Sequence, residues 1–318
     1  TYNLKNYKKV IFLINTYMKE LEEKDTIEMY TNFPKWIKKC IMLFYTKFNK
    51  IVVKEINENN KIYLIPNVDK KTIYKKIRNK IEKEKTKTQK VQAILEDKIK
   101  KYKDELYNIK IVDRKDAMPE QIENILSYIL GNNPIELQDI YILTNSYDES
   151  STSIIKKLAV KAKTMNVITK NIEKYRTLEA ILEEKGIILN IANNKKKSLK
   201  KAKIIINLNL LKDEINTYQL FRNSIVINLS KEKLVNLKGF EGTIIDNIDI
   251  NLEKSEIKDI LEKNNIISNF KNVEIYQTLT ETERRNAKIK VNKLYGNNGD
   301  LNQKEVINMQ KILTNSKM

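Results

Sequence analysis

Histidine is absent from the 318 residues and cysteine occurs once. Without imidazole there is no Ser-His-Asp or Cys-His nucleophilic machinery, no His-ligated zinc and no ordinary neutral-pH general base. The single Cys40 excludes an internal disulfide, Cys-x-x-Cys redox chemistry and a four-thiolate metal site. It lies in the apolar run Trp36-Ile37-Lys38-Lys39-Cys40-Ile41-Met42-Leu43-Phe44, where a buried, inert thiol is the expectation. Proline (4) and glycine (6) are scarce as well, so the few that occur mark real breaks between elements. Nowhere do the roughly 18 consecutive apolar residues of a membrane span occur. The most apolar early stretch, Val10 to Ile14, is too short for a signal peptide. A cytoplasmic protein without membrane insertion is the expectation; because the chain opens on Thr1, native residues are expected ahead of it.

What is abundant is lysine, asparagine and isoleucine, the usage of an AT-rich, bacterial genome. The net charge is +19. Residues 1–100 carry 24 basic and 12 acidic side chains and residues 101–150 carry 5 and 10, so the positive charge concentrates in the first third. Net charge bears on solubility and non-specific binding before it bears on function.

Along the chain, three regions are expected: a mostly helical, basic N-terminal module at 1–134, a Rossmann-like domain at 135–252, and C-terminal helices at 253–318 packing back on the body. In the first, Val10, Leu13, Ile14, Tyr17 and Leu21 keep helical spacing, and Pro34 opens a second helix carrying Trp36 and Cys40. Residues 51–56 and 61–65 flank the polar Asn57-Glu58-Asn59-Asn60 as a β-hairpin. From Lys70 to Tyr107 no Pro or Gly interrupts a pattern that reads as one long helix or two in tandem. Its middle, Glu82 to Lys90, has no apolar position and is expected to be exposed, broken, or a contact surface for something acidic. Residues 109–112 suit a short strand, and Pro119 to Leu130 a helix ended by Gly131.

Past residue 134 the pattern alternates between strand and helix. Six apolar runs, at 140–144, 167–169, 187–191, 204–208, 224–229 and 242–246, are continuous and not alternating, which predicts a parallel sheet with helices on both faces. The fold class is therefore α/β, with a Rossmann-like C-terminal sheet preceded by the helical module and its hairpin.

Val167-Ile168-Thr169-Lys170-Asn171 resembles the end of the second strand in the shikimate dehydrogenase-like group, and Lys203-Ile204-Ile205-Ile206-Asn207 is similar to its fourth strand. The resemblance covers about residues 138–250 and implies an NADP site, with Lys170 toward the 2′-phosphate. The chain departs from it in the turn after the first strand, where Thr144-Asn145-Ser146-Tyr147-Asp148-Glu149-Ser150-Ser151 contains no glycine for close approach to a pyrophosphate. The candidate site residues are Thr144, Asn145, Ser146, Ser150, Ser151, Thr169, Lys170 and Asn171. Asp148 and Glu149 put negative charge at the same mouth and are expected to cap the following helix.

Other charged groups read more plainly. Asp246, Asn247 and Asp249 follow the sixth strand as turn residues, although their oxygens suit Mg²⁺. Lys195, Lys196, Lys197, Lys200 and Lys201 form a solvated loop or a phosphate contact. The leading expectation is a non-catalytic, cofactor-free Rossmann-like scaffold that associates, with a protein partner or a second copy, through its N-terminal helices. An NADP-linked oxidoreductase is the alternative. A binder of nucleic acid or anionic surfaces through Lys75, Lys76, Arg78, Lys80, Lys83, Lys85, Lys87 and Lys90 is the third reading, opposed by the interleaved Glu82 and Glu84.

Overall fold

The computed structural model describes residues 8–15, 34, 36–37, 40, 51–55, 60–65, 69, 71–84, 90–253, 256–263, 270–279, 281–297 and 299–314. The chain forms two compact units. One comprises residues 1–113 and 252–288, the other residues 114–251 and 289–318. This division falls some twenty residues before 134, and the chain returns to the first unit after the sixth strand of the second.

The first unit is itself α/β. Its strands β1 (Lys8–Asn15), β2 (Val52–Glu55), β3 (Asn60–Ile65), β4 (Lys90–Leu95) and β5 (Lys110–Ile111) form one sheet in the order β2-β3-β1-β4-β5. β1 runs parallel to β3 and β4, β4 parallel to β5, and only the expected hairpin β2–β3 is antiparallel. Beside its helices the region thus holds a five-stranded sheet, of which the sequence pattern marks the hairpin and the short strand at 109–112 but neither β1 nor β4. Val10-Ile11-Phe12-Leu13-Ile14 has helical spacing if three of its residues are chosen, but all five are apolar, and they form the central strand of this sheet. The companion positions Tyr17 and Leu21 lie outside the described residues.

The reading of one helix or two in tandem from Lys70 to Tyr107 is corrected in the same way. Helix α1 (Lys71–Glu84) is followed by strand β4, then by a 3-10 segment over Lys100–Leu106. Ile73, Tyr74, Ile77 and Ile81 of α1 bury against Val91, Ala93 and Leu95, alternate residues of β4. Apolar residues at 91, 94, 95 and 99 fit either period over so short a run. Of the apolar-free stretch, Glu82 and Lys83 are exposed and residues 85–89 lie outside the described residues. Cys40 is exposed, not buried. Trp36 is 68% exposed. Helices α6 (Glu256–Lys263), α7 (Asn272–Thr278) and α8 (Glu281–Asn286) complete the unit.

The second unit opens with a 3-10 turn at Arg114–Ala117 and helix α2 (Ile122–Leu130), whose chain is released at Gly131 with φ 58°. Strands β6 (Asp139–Leu143), β7 (Thr164–Ile168), β8 (Leu189–Ala192), β9 (Ile204–Asn207), β10 (Ile225–Asn228) and β11 (Thr243–Ile245) build a six-stranded sheet in the order β11-β10-β9-β6-β7-β8. Every pairing is parallel. Taken as the six strands of this sheet, the order is 3-2-1-4-5-6, that of a doubly wound dinucleotide-binding fold, with its switch point between β6 and β9. The continuous runs expected from sequence are these strands: all four residues of β9 and all four of β10 are buried. Helices α3 (Glu149–Ala159), α4 (Ile172–Glu183) and the one-turn α5 (Lys212–Ile215) form the crossovers. The expectation of C-terminal helices needs one correction. Strands β12 (Asn247–Leu252), β13 (Ile289–Gly296) and β14 (Gly299–Asp300) form a three-stranded sheet before the last helix, α9 (Gln303–Thr314). In β13 Ile289 and Val291 alternate but Leu294 breaks the period, and lysines lie between, which hides the strand.

Gly242 precedes β11 where the chain passes the backbone of Ser224; a Cβ there would lie 2.0 Å from the Ser224 carbonyl oxygen. At Gly186, φ is +72° but no atom lies within 4 Å of a Cβ. Gly242→Ala is expected to cost about 3 kcal/mol by overpacking, and Gly186→Ala about 1 kcal/mol by backbone strain alone. Urea denaturation midpoints of the two variants, compared with wild type, check the ranking.

Candidate functional site

Strands buried on both faces end abruptly in polar residues, and in a parallel sheet those ends lie together. The turn after β6 begins with Thr144, fully buried, whose N–H donates to Ile168 O at 3.1 Å and whose Oγ1 donates to Ser146 O at 3.0 Å. Asn145 then reaches across the switch point. Its N–H donates to Asn209 Oδ1 (2.8 Å) in the turn after β9, and its Nδ2 to Glu214 Oε1 (3.0 Å). Its Oδ1 accepts from the Lys170 N–H at 3.1 Å, and its carbonyl oxygen accepts from Asn171 Nδ2. Asn209 Nδ2 donates to Thr144 Oγ1 (3.1 Å) and to Ser146 Oγ. Lys170 Nζ donates to Glu214 Oε1 at 2.7 Å. That bond and the attraction behind it raise the Lys170 pKa and lower that of Glu214.

Asp148 does what its position predicts. Its Oδ1 accepts from the Ser151 N–H at 2.8 Å, capping α3. This bond is the first cause of its lowered pKa, followed by bonding from Ser146. Tyr175 of α4 donates to Ser146 O at 2.6 Å and meets Tyr147 edge to face at 5.0 Å, fixing the turn from below.

A cleft of about 310 Å³ opens beside this turn. Of the eight residues expected at a site, Ser146, Ser150 and Ser151 line it. Thr144 and Thr169 are fully buried at strand ends, while Asn145, Lys170 and Asn171 are bonded to one another and to Glu214. Sequence reasoning missed Asn209, Lys115, Asp116 and Lys231, which also line the cleft. The switch-point rule supplies the signal for Asn209: the turns after the first and fourth strands face each other. Lys115 and Asp116 come from the turn ahead of α2, which no strand pattern marks.

Behind the cleft runs a buried chain. Asn207 Nδ2 donates to Asn228 Oδ1 (3.0 Å), Asn228 Nδ2 to Asp246 Oδ1 (2.7 Å), and Lys115 Nζ to the same oxygen (2.6 Å). The side chains of Lys115 and Asp246 are 11% and 12% exposed. Asp246 is thus committed to an ion pair, and Asp249 Oδ1 accepts from the Ile250 N–H. Among the described residues no group of three or more Cys, Asp or Glu is arranged to hold a metal ion.

The order of the six strands and the crevice at their carboxyl ends define a Rossmann-like α/β domain. No protein-family model and no curated protein matches the chain. Among solved structures it is similar to L-tryptophan dehydrogenase from Nostoc punctiforme, at 8% identity over 96% of this chain and 80% of that one, with a TM-score of 0.33. It is also similar to a shikimate dehydrogenase solved with NADP⁺ (14% identity, 74% and 84% of the two chains, TM-score 0.29) and to ornithine carbamoyltransferase from Gloeobacter violaceus (9% identity, 84% of each chain, TM-score 0.29). Among the described residues no helix is long and apolar enough to cross a membrane.

Two substitutions test these bonds. Asp148→Ala is expected to cost about 1 kcal/mol, the worth of an N-cap. Because the folded-state pKa of Asp148 is lowered, its contribution is complete above the unfolded value and fades as pH falls below about 4. Asp148→Asn, which caps without charge, should flatten that part of a stability–pH curve. Asp246→Asn leaves the Lys115 ammonium enclosed without its carboxylate, and a loss of about 3 kcal/mol is expected in chemical denaturation.

Proposed function

We propose that the chain is a non-catalytic Rossmann-like scaffold whose nucleotide crevice is closed by its own side chains, so that it works by association and not by turnover. The observation that carries this reading is the bonding of Asn145. Its backbone and side chain engage Asn209, Glu214, Lys170 and Asn171, the groups that a dinucleotide would have to meet. A pyrophosphate entering here would displace these bonds. It would also find the α3 N-terminus taken by Asp148, side chains in place of glycines, and two lysines balanced by two aspartates on the cleft wall.

The alternative, an NADP-linked oxidoreductase, is favoured by Lys170, whose side chain is 53% exposed at the end of β7. Its ammonium is already held by Glu214, and no histidine is available for proton transfer. On the leading reading no cofactor is used.

Calorimetric titration of the full chain with NADPH and with NADH checks the proposal. No binding is expected up to millimolar nucleotide; micromolar affinity for either overturns it. Asp148→Gly with Glu149→Ser frees the helix end, and weak affinity for inorganic phosphate should then appear that wild type lacks.

A further inference from the structure

The crossover from β8 to β9 has no α-helix. In its place residues 193–203 make a tight turn that is pinned at both ends. Asn194 Oδ1 accepts from the N–H groups of Lys196 (3.1 Å) and Lys197 (3.0 Å), and Ser198 Oγ accepts from the Asn194 N–H (2.9 Å). Tyr218 OH donates to Asn193 Oδ1 (2.6 Å), Gln219 N–H to Lys195 O (2.8 Å) and Phe221 N–H to Leu199 O (3.0 Å). Leu199 and Ala202 anchor the turn in the core with 0% exposure.

Five lysines, at 195, 196, 197, 200 and 201, are exposed on this rigid frame. From Lys185 to Lys212 the sequence has eight lysines and neither Asp nor Glu. Among the described residues none of the five enters an ion pair. Ammonium groups this close repel one another, a cost that an anionic partner would relieve.

We infer that this turn is a docking surface for the phosphate backbone of duplex nucleic acid, bound without regard to base sequence. Seven residues at roughly 1.5–2 Å each span about 10–14 Å, a length over which a duplex carries roughly 6–8 phosphates at about 1.7 Å per charge. The charge densities match. An anionic bilayer fits less well, because between Asn193 and Lys201 the only large apolar side chain, Leu199, is buried and none is left to enter the acyl region. The turn has no arginine or aromatic residue to read or stack on bases, which leaves the backbone as the target.

The test is fluorescence anisotropy of a labelled 20-bp duplex DNA with the full chain across a KCl series. Replacing Lys195, Lys196, Lys197, Lys200 and Lys201 by Gln should make the slope of log affinity against log salt shallower by about 4.5, at about 0.9 per contact. If that variant misfolds by circular dichroism, K195Q/K196Q/K197Q should still lose about 2.7. A control with equal charge removed elsewhere, K75Q/K76Q/K83Q/K103Q/K110Q, should keep most of the wild-type slope. The inference is overturned if wild type does not bind at low salt, if the turn variant changes the slope by less than one, if the control loses as much, or if wild type prefers phosphatidylserine vesicles to the duplex. These readouts do not depend on whether the crevice takes a nucleotide.

Discussion

Two-sided burial of the second unit's strands is the constraint on which the rest depends. Once both faces of β6, β9 and β10 are covered by helices, the residue that ends each apolar run has neither core nor water to turn to. It must find its partner sideways, among the ends of the neighbouring strands. Thr144, Thr169, Asn207 and Asn228 have no exposure at all, and Asp246 has 9%. An unpaired polar group in such a place costs about 1–3 kcal/mol. The lateral bonds Asn207–Asn228–Asp246–Lys115 are the form that this requirement takes on one side of the switch point, and Thr144–Asn209–Asn145–Glu214–Lys170 its form on the other.

The crevice of a doubly wound sheet is available to ligands because the chain diverges there, leaving a gap that neither crossover fills. In this molecule the gap is bridged by short side chains. Asn145 bonds to the turns after β7 and β9, and the donor and acceptor of the Asn209 amide both meet residues 144–146, so the turns after β6 and β9 are fastened together. Carboxylates reinforce the closure: Glu214 takes the exposed lysine that faces the adenosine side of such a site, and Asp148 takes the helix end that faces the phosphate side. On the reading proposed above, polar side chains stand where a bound dinucleotide would otherwise make its contacts.

The second unit was legible because its signal is redundant. Ile204-Ile205-Ile206-Asn207, Ile225-Val226-Ile227-Asn228 and Thr243-Ile244-Ile245-Asp246 each place three residues of strand before a polar terminus, and short connections leave parallel order as the simplest solution. The first unit lacks that redundancy. β1 holds an apolar run of five and β4 one interrupted by Gln92, both with spacing that also suits a helix, and their sheet is assembled from strands far apart in sequence, which no local pattern records. The cap at Asp148 and the serines of the cleft could be read from the turn that carries them. Lys115, Asp116 and Lys231 could not, because they reach the cleft from separate turns and only the tertiary fold brings them together.

Charge follows the same division between what is satisfied and what is left over. Lys115, Lys170 and Lys203 are absorbed by Asp246, by Glu214 and by the Ile312 carbonyl oxygen, so these three lysines serve the second unit's own structure. The turn from Asn193 to Ala202 is different. Its backbone is bonded as closely as that of any crossover, yet its ammonium groups face outward without a carboxylate among them. A loop carrying only solvating lysines has no need of an Asx turn, three backbone or side-chain ties to residues 218–221, and two core anchors. Rigidity reduces the entropy lost when such groups meet a partner of fixed geometry. A crevice closed by internal bonds and a basic turn held open to the outside are thus opposite results of one rule: each polar group is paired within the fold or displayed by it.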